Sequence, residues 1–141
     1  MGAQSLVASD PGIALQQQII ASLFRHYIDF LAPWYDLNDS QNLFGTLVPQ
    51  RAMQNSTLFK AIIAFSACHE SRTRPCDRYQ ELGHVFHGAC VGDLLKVLND
   101  VHPNPDIQEE VQGEYLTATC LLRSYEILNG KVIQVCYDRS G

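Results

Sequence analysis

Several groups of side chains in this sequence have types and spacings that could do chemistry. His84, His87 and Cys90 follow one another at three-residue steps. Imidazole nitrogens and a thiolate are the ligands that zinc prefers. On a helix, however, the steps from 84 to 90 sweep about 120°, which spreads the three groups round the rod. Packing is therefore expected for them, and no metal site. His69-Glu70 begins the metalloprotease pattern of two histidines one helical turn apart, but Thr73 stands where the second histidine is needed. Cys68 and His69 are sequence neighbours, and adjacent helical residues do not face each other. Cys68, Cys90 and Cys120 therefore read as small buried hydrophobes rather than nucleophiles. Arg123 and Glu126 could pair across one helical turn, with Tyr125 between them, and Glu70 with Arg72 reads as a solvated rim. Nucleophile elbows and glycine-rich phosphate loops are absent, and Gly83, Gly88 and Gly92 lie too far apart to form one. No catalytic, cofactor-binding or metal-ligating residue is expected.

The elements that hold these residues read as helices almost throughout. Asp10-Pro11 is a cap followed by the proline favoured at a first helical position. Ile20, Leu23, Phe24, Tyr27, Ile28 and Leu31 recur at three- and four-residue steps, and Pro33 is expected to end that helix. Trp34, Tyr35 and Asp36 form a corner whose two aromatics should plug the end of a core. A short helix from Ser40 to Val48 should turn Leu43, Phe44 and Leu47 inward before Pro49 stops it.

Asn55 or Ser56 should cap a third helix, Thr57 to about Arg72. It is apolar on most faces and so should be central. Pro75 punctuates, and Asp77 with Gln80 reads as a capping box opening a fourth helix to about Asn99. Its three glycines are expected to give smooth faces for close helix approach. After a loop from Val101 to Pro105, Asp106 and Glu109 should cap a fifth helix ending at Asn129-Gly130. Lys131 to Tyr137 is β-branched and fits no helical face.

About five helices with short connections predict an all-α fold in an antiparallel, bundle-like array. Residues 1–10 are expected to be disordered, 11–130 helical, and 131–141 a separate tail. The chain of 141 residues carries 10 Lys and Arg against 15 Asp and Glu, a formal net charge of −5, with basic residues single or loosely paired. A binder of phosphate backbones usually shows a basic stripe, so direct nucleic-acid binding is not expected. The longest apolar run, Ala61 to Phe65, is far short of a membrane span. MGAQSLVASD has neither the basic nor the apolar region of a signal peptide. Five cysteines without a CxxC pair read as reduced thiols.

Four stretches together resemble the fungal-specific transcription factor regulatory domain: LFRHYIDFLAPWYD (23–36), VPQRA (48–52), LFKAIIAFSACHESR (58–72) and LLRSYEIL (121–128). Phe86 to Cys90 adds a similar aromatic-His-x-x-Cys step. The resemblance covers roughly residues 19 to 129. It implies a helical regulatory module in a nuclear regulator of RNA polymerase II transcription, with protein partners or a small-molecule inducer and no catalytic residue. The family's DNA-binding part has six closely spaced cysteines sharing two zinc ions, and no such spacing occurs here. Family members also run on beyond the LR-YEE helix, and Gly130-Lys131 can be encoded by a sequence containing an intron donor. The tail is thus expected to be translated intron or a truncated gene model. A helical fragment lacking full cover should expose apolar surface and tend to self-associate. The alternatives are a helical interaction fragment with no DNA-linked role, and a small metal protein or enzyme built on His84, His87 and Cys90.

Overall fold

The computed structural model describes residues 3–37, 40–74, 77–100 and 109–129. All regular structure among them is helical. The elements are α1 (Ala3–Ala8), α2 (Pro11–Ala14), α3 (Gln18–His26), a π-helical turn (Tyr27–Leu31), α4 (Ala32–Tyr35), α5 (Leu43–Ala52), α6 (Ser56–Thr73), α7 (Asp77–Asp100) and α8 (Glu109–Leu128). The all-α expectation holds. Pro75, Cys76, the 101–108 connection with Asp106, the Gly130 stop and the 131–141 tail lie outside the described residues.

The centre of the fold is α6. Ile62, Ile63, Ala61, Ala64 and Ala67 are fully buried, and Leu58 and Phe59 almost so. A helix apolar on every face needs neighbours on every face, and α6 packs against α3, α5, α7 and α8. Asn55 caps it, its Oδ1 accepting from the amides of Thr57 at 3.0 Å and Leu58 at 3.2 Å. The α6–α7 pair is antiparallel, as expected. Lys60 Nζ meets Asp93 Oδ2 at 2.6 Å near one end, while Gly83 lies against Cys68 further along. By contrast, α8 runs parallel to α6. Asn55 Nδ2 donates to Glu114 Oε2 at 2.7 Å near the start of both helices, and Cys68 Sγ donates to the Tyr125 carbonyl near their ends.

Several sequence expectations are corrected. Residues 3–8 are not disordered: they form α1, with Leu6 and Val7 buried and α7 beside them. The first long helix breaks after Ala14 and resumes at Gln18. Pro33 does not end the chain's helical course. A proline removes an amide donor and crowds the carbonyl four residues back. The backbone meets this by widening: the Ala32 amide bonds the Tyr27 carbonyl, five residues back, and Pro33 falls in the first turn of α4.

Likewise Pro49 lies inside α5, which runs on to Ala52. There Val48, Pro49 and Ala52 are buried, whereas Leu43 and Leu47 are exposed and Phe44 is half-buried. Trp34 does not plug the core; it is 73% exposed. Only Gly83 makes a close helix approach: a Cβ there would sit 3.5 Å from the Ala64 carbonyl oxygen and the Cys68 amide, whereas Gly88 and Gly92 face open space.

Candidate functional site

The fold leaves a polar cleft of about 450 Å³ between α6, α7 and α8. Helical spacing selects what faces it. Residues four apart share a face, so α6 presents Cys68 and Arg72, α7 presents Gln80 and His84, and α8 presents Tyr125 and Asn129. Tyr125 is held by stacking on His87, with ring centroids 4.4 Å apart and planes 18° from parallel. Burial raises the pKa of the Cys68 thiol, and the adjacent Arg72 partly offsets this. Burial also raises the Tyr125 hydroxyl, with Cys68 adding to the effect. Both groups thus stay protonated donors in neutral solution.

A second polar cluster joins α3 to α6. His26 Nδ1 lies 2.8 Å from Glu70 Oε1, and His26 Nε2 lies 2.9 Å from His69 Nδ1. Every contact is satisfied when Nδ1–H of His26 donates to Glu70 and Nε2 accepts from Nδ1–H of His69. Desolvation lowers the His26 pKa; His69 and Arg74 reinforce the shift, and Glu70 and Asp29 oppose it. His69 also borders an apolar groove of about 330 Å³ that runs beside Trp34, Phe65 and Ile127. Tyr35 spans this groove's wall, hydrogen-bonded to Ser124 and stacked on Phe44.

The residues singled out in the sequence are dispersed by the fold. His84 faces the polar cleft. His87 Nε2 sits 3.5 Å from Glu126 Oε1. Cys90 is buried, its Sγ donating to the Thr57 carbonyl at 3.3 Å, and its pKa is pushed up to about 12, by burial first and then by Asp93. These three side chains therefore serve three different surroundings. No group of His, Cys, Asp and Glu suited to holding a metal ion occurs among the described residues.

Glu126 turns to His87 rather than to Arg123. Glu70 is no solvated rim, because its side chain is 14% exposed and bonded to His26. Sequence reading missed the pairing of His26 with His69. The signal was faint: two histidines, each on a helix with apolar periodicity, and no local spacing to link them.

Among the described residues no helix is long and apolar enough to cross a membrane. No curated protein sequence matches the chain. No solved structure matches it either. The chain does match the family described as the fungal specific transcription factor domain over residues 22–137. That span begins within α3, takes in the cleft, the histidine cluster and the apolar groove, and runs on past Asn129, where the sequence pattern was read as ending. With the greater part of its length matched and an all-helical fold, the chain belongs to the fungal specific transcription factor domain family.

Proposed function

We propose that this chain acts as the regulatory module of a nuclear regulator of RNA polymerase II transcription. In this reading its helical surface receives protein partners or a small-molecule signal, and so sets the activity of a DNA-binding part supplied from elsewhere. The observation that carries the reading is the family match over residues 22–137. Membership gives a transcription-regulatory role in general terms, in a family that is not enzymatic.

Two features of the molecule are consistent with it. His26, His69, His87 and Cys90 are tied into packing and polar contacts in separate parts of the fold. The surface offers both a polar cleft and an apolar groove, which are recognition features. The test is a fusion of residues 1–141 to an unrelated DNA-binding domain, read on a reporter with matching sites in yeast. The expected result is activation or repression relative to the DNA-binding domain alone. An inert fusion, present in the nucleus at equal level, would reject the reading.

A further inference from the structure

We propose that the cleft between α6, α7 and α8 is a binding site for a small organic carboxylate. The first argument is charge. The chain as a whole is acidic, with 15 Asp and Glu against 10 Lys and Arg, yet no carboxylate is among the described residues that line this cleft. Its ionisable lining includes Arg72 and His84, and Tyr79, Gln80, Tyr125 and Asn129 add neutral hydrogen-bonding groups.

The second argument is the state of Arg72. Arg72 stands exposed at the rim of the cleft, whereas two less exposed cations are matched: Lys60 to Asp93 at 2.6 Å, and Arg51 to Glu114 at 3.7 Å. Arg72 has no carboxylate partner among the described residues; the group beside it is the Cys68 thiol. A guanidinium presents a planar fork of donors that fits a carboxylate in a two-point contact.

The third argument separates a carboxylate from a phosphate. The cleft is bounded by the C-terminal turns of α6 and α8, where Arg72 and Asn129 stand, and by the first turn of α7, where Tyr79 and Gln80 stand. The partial charges of these helix ends oppose one another. Phosphate sites combine helix N-termini with several cations. Arg72 is the one fixed cation among the described lining residues, which suits a monoanion better than a dianion.

The body of the ligand is constrained by size and shape. The volume of about 450 Å³ falls within the usual range for small-molecule sites. Tyr125, 4% exposed and fixed by its stack on His87, forms a rigid floor to the cleft. The walls are pre-formed, because Gly83 lets α7 close on α6, and the Cys68 thiol ties α6 to the Tyr125 carbonyl of α8.

The proposal deepens the regulatory reading by naming the class of signal, but binding is measured without transcription, so the two fail separately. Benzoate, its neutral isostere benzamide and inorganic phosphate would each be titrated into the 1–141 chain, with backbone amide shifts followed by NMR. Benzoate is expected to give saturable shifts in residues 68–72, 79–84 and 125–129. It should bind at least about 10-fold more tightly than benzamide, the value of one charge-assisted hydrogen-bond pair. Arg72→Gln should erase that preference, and His84→Asn should weaken it, while Arg123→Gln on the exposed face of α8 should leave it intact. Equal binding of benzoate and benzamide, tighter binding of phosphate than of benzoate at these residues, or shifts confined elsewhere would overturn the proposal. If benzoate binds as stated while the reporter fusion is inert, the site stands and the regulatory reading falls.

Discussion

His26 shows how a residue's surroundings set its chemistry. It is enclosed by Glu70 and His69 of α6 and by Asp29 and Arg74, and the balance lowers its pKa from the ordinary value of 6.5. The unfolded chain therefore takes up a proton at His26 before the folded chain does. Its contribution to stability is complete above pH 6.5 and declines as pH falls from there through the lowered folded value. Urea midpoints measured between pH 7.5 and 5 should fall on acidification, and His26→Gln should flatten that slope. A wild-type midpoint that rises on acidification would show that Glu70 dominates instead. Burial also governs the thiols. Cys90, pushed up to about 12, and buried Cys68 should resist iodoacetamide until the chain unfolds, while exposed Cys120 is alkylated first. Mass spectrometry of tryptic peptides reads the order directly, and early labelling of Cys90 would contradict its placement.

Among the elements, α5 is capped and pinned by contacts from outside itself. Asn42, at the start of α5, has a left-handed backbone (φ 53°) and makes no side-chain cap. The cap comes instead from Asp36, whose carboxylate accepts from the amides of Phe44 and Gly45, each at 2.9 Å. Tyr27, in the π turn, donates to the Phe44 carbonyl at 2.9 Å and pins the same helix from the other side. The glycines of α7 give a clear test of element stability. Gly88 and Gly92 have open space where a Cβ would go. Gly88→Ala should raise stability by about 0.5–1 kcal/mol, because alanine loses less backbone freedom on entering a helix. Chemical denaturation measures this; a loss of stability would mean that Gly88 meets a surface not seen here.

At the scale of the whole molecule, stability is concentrated in α6 because the neighbouring helices close on it. Ile62 is fully buried at the heart of the core. Ile62→Ala should cost about 2–5 kcal/mol through lost transfer energy and a residual cavity. Trp34, 73% exposed, should tolerate alanine within about 0.5 kcal/mol despite its larger size. Urea titration of the two variants compares them, and equal losses would remove α6 from its central place. The same arrangement frames the candidate site, since the cleft exists only where α6, α7 and α8 converge.

Local composition and spacing were enough to make the chain helical with α6 as its core rod, and the linear sequence held that much. Asn55 as a cap and the apolar run from Ala61 to Phe65, with Leu58 and Phe59 just before it, are local facts, and local facts fix helix type and burial. It also determined the family, because the order of short motifs survives without knowledge of their contacts. What Pro33 and Pro49 do was settled by packing: Pro33 is absorbed by a widened turn, and Pro49 stays inside α5. Packing likewise paired His26 with His69, and placed Arg72 and His84 at one cleft with Tyr125. Those residues lie far apart along the chain and leave no periodic mark. Their chemistry arises from which helix faces meet, a property of packing that no local spacing encodes.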